Sequence, residues 1–208
     1  AIGTDSFGNF NAVAVNNPQL DTDRHGNPNS ALKVSTDQNS NGIRIPYLND
    51  YFGKNNGSIA FWFKGDYTAN NPISSFVPIV YLPNHGTLTH KNALAVGYTH
   101  IGGDNAFIAS SIMSNNQSAN TVKNYASIGD WQHCVVTFDN SIMKMYINGV
   151  PIATATIDPF PTRIHGGGQD ITVGFVNQDG VNTQFNGLID DLLFDNVTYT
   201  DAEVAAMF

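Results

Sequence analysis

The stretch Tyr146-Ile147-Asn148-Gly149-Val150 decides the fold class, because it places an Asn-Gly pair between β-prone residues. Such a pair supplies the positive φ angles of a type I′ turn, so the sequence predicts a tight antiparallel hairpin here. Outward from this hairpin, short segments with strand-like patterns recur between turn residues. We predict strands at 31–34, 42–46, 58–64, 76–82, 93–98, 106–113, 133–138, 143–147, 152–157, 171–175 and 187–194. Many short strands with almost no helix are typical of a sandwich or jelly roll.

The segment Ser58–Lys64 has apolar residues on both of its alternating faces, which predicts a central strand. Its Trp62, like Trp131, is assigned to the core. The polar segments 115–124 and 164–170 are predicted to be surface loops. One helix start is evident at Thr200, which is followed three residues later by Glu203 in a capping-box pattern. We therefore predict a short helix over 201–207.

Length and composition limit the classes of function. The chain has 208 residues, of which 12% are charged, and its formal net charge is −8. An acidic balance disfavours nucleic acid as a partner, and no apolar run is long enough to insert into a membrane. A sandwich of this length is commonly one unit, so we predict a single domain over residues 1–208. The one cysteine, Cys134, is predicted to be a small buried residue.

Several further segments share their order and pattern with one known family. They contain an Asp-x-x-Gly-Asn opening, a strand with Trp before Lys, a Trp-x-His strand ending in Asp, a Tyr-x-Asn-Gly hairpin, and a late Ile-Asp-Asp strand before the helix. In this chain they are Asp5–Asn9, Ser58–Lys64, Asp130–Asp139, Tyr146–Gly149, Phe185–Phe194 and Thr200–Val204.

In this order the segments resemble the laminin-G-like jelly roll of the concanavalin-A-like lectin and glucanase superfamily, over the whole chain. The resemblance implies an all-β fold: a two-sheet antiparallel jelly-roll sandwich with a short C-terminal helix. It leaves function open, because this fold carries unrelated activities.

The superfamily includes glycoside hydrolases, which use two carboxylates on either side of the scissile bond. This chain contains a single Glu, Glu203, and the capping box accounts for it. The pair Asp190-Asp191 is the remaining candidate, but neighbours on a regular strand point to opposite faces. We therefore predict no catalytic residues and no enzyme activity.

Calcium is the cofactor that the sequence suggests. Asp190 lies in an otherwise apolar strand, and a carboxylate there needs a cation or several hydrogen-bond donors. Members of the superfamily often hold a structural Ca²⁺ between the N-terminal turn and this strand, and the resemblance implies Asp190, Asp5 and Gly3 as ligands. The alternative is that Asp190 and Asp191 accept backbone N–H bonds and fix the ends of neighbouring strands.

Sugar recognition needs aromatic rings for stacking and amide groups for paired hydrogen bonds to hydroxyls. The chain offers both in its loops, and the ligand-binding candidates are Tyr98, Asn115, Asn116 and Tyr125. The alternative for each of them is a local role in packing or in a turn.

Three functions follow as hypotheses. The first is a lectin-like, non-catalytic module on an extracellular or virion surface that recognises a glycan or glycosylated surface. The second is a virion decoration or tail-associated adhesive protein that uses the jelly roll for protein contacts, with a homo-oligomer as its expected form. The third, a glycan hydrolase, is disfavoured by the single Glu203.

Overall fold

The computed structural model describes residues 2, 4, 6, 11–35, 41–46, 56–66, 77–82, 94–101, 104–112, 118–123, 129–139, 142–156, 170–178 and 181–208. Of residues 98–101, 104–112, 118–123, 177–178 and 181–182 it describes the backbone alone. Within these ranges the chain forms strands and one short helix. Their bounds are β1 Val13–Val15, β2 Gln19–Asp21, β3 Ala31–Val34, β4 Gly42–Ile45, β5 Asn56–Gly65, β6 Val77–Leu82, β7 Leu94–Ile101, β8 Asp104–Ile112, β9 Ser118–Lys123, β10 Gln132–Asp139, β11 Ile142–Ile147, β12 Val150–Thr156, β13 Ile171–Val173, β14 Phe175–Gln178, β15 Val181–Gln184, β16 Gly187–Asp195 and α1 Asp201–Met207.

Two seven-stranded antiparallel sheets form the body of the fold. Sheet A has the strand order β1-β4-β13-β6-β7-β8-β9, and sheet B has the order β12-β11-β10-β5-β16-β3-β2. The strands β14 and β15 form a separate two-stranded hairpin. This arrangement confirms the predicted two-sheet jelly-roll sandwich. No helix among the described residues is long and apolar enough to cross a membrane.

The core lies between the two sheets and is built by alternation along their strands. On β5, Ile59, Phe61 and Phe63 are buried in the core cluster, as is Cys134 on the adjacent β10. Strand β5 lies between β10 and β16, which confirms its predicted central position. Truncation of a fully buried ring such as that of Phe61 costs about 3–5 kcal/mol, so this face holds the sheets together.

Helix α1 packs on the outer face of sheet B. Thr200 Oγ1 accepts from the Glu203 amide at 3.3 Å, and Glu203 Oε2 accepts from the Thr200 amide at 2.7 Å, which confirms the capping box. Val204 is buried in a small cluster with Ala60 and Val135. The helix therefore covers the apolar part of this outer face.

The hairpin predicted at Asn148-Gly149 is confirmed. Both residues have positive φ, 51° and 74°, and they join β11 directly to β12. Two predictions were wrong. The segment 115–124 is not wholly loop, because Ser118–Lys123 forms β9 and pairs with β8. The strand predicted over 171–175 is interrupted at Gly174, whose φ of 89° turns the chain from β13 into β14.

Candidate functional site

Three side chains stand side by side on the outer face of sheet B. The register pairs Asp190 of β16 with Trp62 of β5, and Trp62 with His133 of β10. Trp62 alternates with Phe61 and Phe63, which belong to the core, so it faces away from the core. The assignment of Trp62 to the core was therefore wrong, since its ring packs on the opposite side of the sheet.

Arg24 reaches this row from the turn between β2 and β3. Its Nη1 lies 2.9 Å from Asp190 Oδ2 and 2.6 Å from Asp191 Oδ2. The Arg24 side chain is 19% exposed and that of Asp190 only 8%. The turn is ordered by Asp23, whose carboxylate accepts from the backbone and side-chain amides of Asn27. A locally fixed turn thus delivers the guanidinium to the two carboxylates.

The prediction that Asp190 and Asp191 point apart was wrong. The register of β16 against β5 shifts between Asp190 and Leu193, and Asp191 has a positive φ of 43°. An irregularity of this kind re-aims the side chains of a strand. As a result, both carboxylates contact the same guanidinium nitrogen of Arg24.

This pairing bears on the predicted calcium site. Burial and the nearby Asp191 raise the pKa of Asp190 above its ordinary value, while Arg24 and a backbone hydrogen bond partly oppose the rise. Asp190 Oδ2 accepts from Arg24, and Oδ1 accepts from the Asp191 amide at 2.9 Å. A cation at Asp190 would lie beside a guanidinium, so the described residues do not favour one there. Asp5 and Gly3 lie outside the described residues, and calcium binding stays a prediction.

The described residues contain no group of three or more His, Cys, Asp and Glu side chains arranged to hold a metal ion.

Three side chains contact the Trp62 ring. The Arg24 guanidinium carbon lies 4.8 Å from its centroid, in the range of a cation–π contact. His133 stacks on it at a centroid distance of 4.9 Å, and Phe208, at the end of α1, stacks at 5.7 Å. These contacts tie the β2–β3 turn and the C-terminal helix to the sheet, so we assign this cluster a structural role.

His133 is the buried member of the cluster. Its burial, together with the charge of Arg24, lowers its pKa to about 4, so the ring is neutral at pH 7. Its Nδ1 is buried without a hydrogen-bond partner among the described residues. The backbone of His133 is held by Asn148, whose side-chain oxygen accepts from the His133 amide at 2.8 Å. His133 is therefore a packed ring that is neutral at pH 7.

The outer face of sheet A is built differently. One register row crosses its first five strands, from Val13 through Arg44, Thr172 and Tyr81 to Ala95. On β6, Tyr81 alternates with the core residues Val80 and Leu82, so this row faces away from the core. The row changes along its length, because one end is exposed and the other is buried.

At the exposed end, Arg44 and Asp170 form an open pair. Arg44 Nε lies 3.7 Å from Asp170 Oδ2, beyond hydrogen-bond distance, and their side chains are 48% and 34% exposed. Val13, directly opposite Arg44 on β1, is 58% exposed. A donor, an acceptor and an apolar surface are therefore presented together to solvent.

At the other end the hairpin β14–β15 covers the row. Val176 of β14 forms a small buried cluster with Tyr81 and Ala95. Burial of a Val side chain is worth about 1.5–3 kcal/mol. The layer also contains Thr172 Oγ1 and Thr183 Oγ1, which are buried without hydrogen-bond partners among the described residues. Each such hydroxyl costs about 1–3 kcal/mol, so the two together offset most or all of the gain from burying Val176.

The structure tests few of the predicted site residues. Asn115, Asn116 and Tyr125 lie outside the described residues, as do Asp5 and Gly3. Tyr98 lies on β7, where its backbone pairs with Val77 and Phe107, and its side chain is not described. Of the named set, only Asp190 has a described environment, and its partner there is Arg24.

Sequence reasoning missed Arg24, Arg44 and Asp170. The partners Arg24 and Asp190 are 166 positions apart, so no local pattern joins them. Arg44 had a local signal, since it is the one charged residue within an otherwise apolar strand, Gly42–Ile45, and such a residue points outward.

Comparison with known families agrees with the geometry of two packed sheets. The model of a laminin G-like family, described as the concanavalin A-like lectin/glucanases superfamily, matches residues 37–205. The chain belongs to this superfamily. The resemblance seen in the sequence motifs is thereby confirmed. Among curated protein sequences, none matches the chain significantly.

Solved structures with this superfamily fold include carbohydrate-binding modules and toxin binding domains. Domain 4 of AbnA, a GH43 extracellular arabinanase from Geobacillus stearothermophilus in complex with arabinotriose, has a TM-score of 0.71 and 22% identity, covering 99% of this chain and 92% of that domain. The CBM40 of the Ruminococcus gnavus IT-sialidase bound to α2,3-sialyllactose has a TM-score of 0.64 and 14% identity, covering 86% and 96%. At these identities the likeness shows the fold alone.

The binding domain of botulinum neurotoxin serotype G is also similar, with a TM-score of 0.66 and 19% identity. The match covers 98% of this chain and 47% of the toxin domain. Domains of three different kinds of protein thus share this architecture.

Proposed function

We propose that this chain is a non-catalytic glycan-binding module whose ligand lies on the outer face of sheet A. The observation that carries the proposal is the exposed pair Arg44 and Asp170 beside Val13. Sugars present hydroxyls that need both donors and acceptors, and C–H surfaces that pack on apolar groups. An open donor and acceptor beside an apolar side chain suit such a ligand.

The similar structures support this class of ligand. One contains arabinotriose and another α2,3-sialyllactose, which are saccharides of different charge. The described part of this face carries one cation and one carboxylate close together, so its local charge is balanced. We therefore propose a neutral saccharide as the first ligand class to test.

The carboxylates support a role without catalysis. Glycoside hydrolysis needs two carboxyl groups with room for the glycosidic bond between them. The single Glu203 is used in the capping box, and Asp190 and Asp191 share the Arg24 guanidinium. Among the described residues, the neighbouring carboxylates of Asp190 and Asp191 are therefore already paired with an arginine.

We propose an extracellular setting for this binding, with a virion surface as one form of it. The arabinanase whose domain 4 is similar is extracellular, and glycans are abundant outside cells. The prediction of an extracellular protein rests on this likeness of fold.

Protein contact is a second candidate, supported by an exposed apolar pair at one edge of sheet B. Phe208 is 61% exposed and Val150 is 60% exposed. They flank the hairpin turn, where a Cβ atom added at Gly149 would lie 3.2 Å from Phe208 Cβ. Light scattering of the chain at increasing concentration tests this candidate, and a monomer throughout would count against a homo-oligomer.

A glycan array followed by titration calorimetry tests the main proposal. We expect binding to at least one oligosaccharide, and a loss of about tenfold or more in affinity, about 1.4 kcal/mol, in Arg44→Ala. Lys33→Ala is the matched control, because Lys33 forms an exposed ion pair with Asp21 on sheet B. Equal affinities of Arg44→Ala and wild type would remove this face as the site.

An array with no bound glycan, with and without EDTA, would contradict the glycan function as a whole. Release of reducing sugar from a panel of polysaccharides would contradict the absence of catalysis.

A further inference from the structure

Each sheet ends in two edge strands, and three of these four edges carry a feature that hinders pairing with another chain. On sheet B, β12 contains Pro151 and has a register irregularity against β11, and β2 contains Asp21, which is ion-paired with Lys33. On sheet A, β9 contains Lys123 and lies beside β12. Prolines, charges, irregularities and covering elements are common protections of exposed sheet edges.

The fourth edge, β1 of sheet A, has no charged residue, no proline and no irregularity. Its sequence is Val13-Ala14-Val15, and its register against β4 runs without a shift. Among the described residues β1 pairs with β4 alone, and both Val13 and Ala14 are exposed. Directly after the strand, Asn16 and Asn17 have positive φ of 52° and 54°, where the chain leaves for β2 of the other sheet. The side of β1 that faces away from β4 is therefore accessible to a further strand.

The strand β1 is compatible with a second copy of itself. A symmetric dimer uses the same patch on both copies, and two identical neighbouring strands meet this condition when they are antiparallel. A two-fold axis at Ala14 places Val13 of each copy opposite Val15 of the other. Pairs of β-branched residues stabilise adjacent strands, whereas like charges opposite each other destabilise them. Since β1 has no charged residue, no charge on it meets its own copy.

The charges near this edge also permit the approach of a second copy. The formal net charge of the chain is −8, so two copies repel each other overall. The charged residue opposite β1 is Arg44, and Asp170 balances it. In the joined sheet Arg44 is separated from its own copy by three strand spacings, at least about 14 Å. This distance exceeds the Debye length of about 8 Å at physiological ionic strength, so like charges do not oppose the contact.

We propose that two copies of this chain join through β1, which pairs antiparallel with its own copy about Ala14 and makes sheet A continuous across the dimer. The two-fold axis of such a pair is perpendicular to the sheet, so both copies present their outer faces on the same side. Val13 and Val15 share this outer face with Arg44. The dimer then carries two Arg44–Asp170 pairs on one side. Bivalent binding of a glycosylated surface is the consequence, and this part rests on the proposed glycan function.

The contact is small, so the dimer is weak in solution. Three residues extend over about 10 Å, and the contact is well below the roughly 800 Å² per partner of a standard interface. We expect a dissociation constant of about 0.1–1 mM. On a surface with many glycans, the second site acts at a high effective concentration and raises the apparent affinity by about 100-fold.

Cysteine trapping tests the edge without any ligand. Ala14→Cys places two thiols opposite each other at the axis, with Cβ atoms about 4.5–5.5 Å apart. Native Cys134 is fully buried and does not compete. Under mild oxidation we expect a disulfide-linked dimer about tenfold or more faster than from Thr154→Cys, because only a paired edge holds the two Cβ atoms near disulfide distance. Thr154 is the matched control, since it is an exposed residue of the edge strand β12. Equal rates would overturn the pairing.

A mixture of two variants tests the register. Val13→Cys and Val15→Cys should cross-link to each other about threefold or more faster than either variant does to itself, because residue 13 lies opposite residue 15 of the other copy. A mass tag on one variant distinguishes the mixed dimer from the two self-linked dimers. Self-linked dimers that form as fast as the mixed one would overturn an antiparallel pair about Ala14.

A charge at the axis should break the dimer. Ala14→Lys places two like charges opposite each other, while Thr154→Lys is the matched control on β12. Sedimentation velocity up to about 1 mM should show a dimer for the wild type and the control and a monomer for Ala14→Lys, with circular dichroism confirming that all three are folded. A wild type that stays monomeric would overturn the dimer. A dimer that persists in Ala14→Lys but is lost in Phe208→Ser would place the interface at the other exposed surface and overturn the role of β1.

Glycan binding separates this inference from the proposed function. Ala14→Lys should bind a soluble monovalent saccharide as the wild type does, because Ala14 and Arg44 lie on opposite faces of sheet A, and should bind a dense glycan surface about tenfold or more weakly. Saccharide binding without trapping of Ala14→Cys would overturn the dimer and leave the glycan function standing. Trapping with no saccharide bound by the wild type would overturn the glycan function and the bivalent binding, and support the dimer alone.

Discussion

The outer faces of the two sheets use the same kinds of side chain in opposite ways. On sheet B, Arg24 is mostly buried, contacts two carboxylates within 2.9 Å and stacks on Trp62. On sheet A, Arg44 is half exposed and its carboxylate partner Asp170 lies 3.7 Å away. A desolvated pair is costly to break, whereas an exposed pair contributes little to stability and remains available to a ligand.

The difference shows that a charged residue on a sheet is not a functional signal by itself. The cluster around Trp62 contains a raised carboxyl pKa, a lowered histidine pKa and a strained Asp191, which are all marks of functional sites. Yet the Trp62 ring is already in contact with Arg24, His133 and Phe208. The more ordinary pair on sheet A is the one with accessible groups.

The largest expected effect is the loss of the buried pair. Arg24→Ala leaves Asp190 buried without its cation and uncovers one face of Trp62, so we expect the free energy of unfolding to fall by about 3 kcal/mol. Urea denaturation followed by tryptophan fluorescence and circular dichroism measures it. Lys33→Ala, which breaks an exposed pair on the same sheet, should remain close to wild type. Equal losses in the two variants would contradict the distinction between buried and exposed pairs.

A second effect is a pH dependence from His133. Its pKa is about 4 in the folded chain and about 6.5 when exposed, so the unfolded state binds the proton first as the pH falls. The contribution of neutral His133 to the free energy of unfolding is therefore complete above pH 6.5. It is lost between pH 6.5 and 4, by roughly 2–3 kcal/mol. Arg24 and Asp191 are the charges that act on this ring, with opposite signs.

His133→Phe keeps the stacked ring and removes the titration. The difference in stability between wild type and this variant should change over that pH window, while the raised pKa of Asp190 acts in both proteins and with the opposite sign. Parallel curves of unfolding free energy against pH for the two proteins would show that His133 is not the titrating group.

A smaller effect is expected from calcium. Arg24 already supplies a positive charge to Asp190, so any Ca²⁺ bound through this carboxylate should stabilise the fold by no more than about 1 kcal/mol. Thermal melts with Ca²⁺ and with EDTA measure the shift. Asp190→Asn should abolish it if Asp190 is a ligand. A shift of many degrees that persists in Asp190→Asn would place the ion elsewhere.

The smallest expected effect is the coupling between Arg44 and Asp170. A double-mutant cycle with alanine at both positions should give a coupling free energy of less than about 0.5 kcal/mol for stability, because the pair is exposed and its N–O distance is 3.7 Å. The same cycle on glycan affinity should give a larger coupling if both residues contact the ligand. A strong stability coupling would assign this pair a structural role like that of Arg24.

Local patterns were sufficient for much of the fold. The Asn148-Gly149 pair predicted its hairpin because only a few residue types adopt two successive positive φ angles. The alternation over Ser58–Lys64 predicted the central strand, since a strand buried on both faces cannot carry many polar groups. Thr200 and Glu203 predicted the helix start through a bond that spans three residues.

The candidate site could not be predicted in the same way, because its contacts join residues that are far apart in the chain. No local pattern around Asp190 predicts its contact with Arg24. The strand irregularity at Asp191 also brings the two carboxylates together, where a regular strand would place them on opposite faces. Polar composition predicted a loop where β9 forms, because β9 is an edge strand that pairs with β8 on one side only, and such a strand tolerates polar residues.

The sequence by itself determined most of the strands, the helix, the superfamily and the presence of a single Glu. These depend on periodicity, turn chemistry and composition, which act over a few residues or over the whole chain. The tertiary structure alone decided which arginine is buried and which is open, and which face the hairpin β14–β15 covers. Such properties arise from contacts between distant segments, whose burial and charge balance depend on how the sheets are assembled.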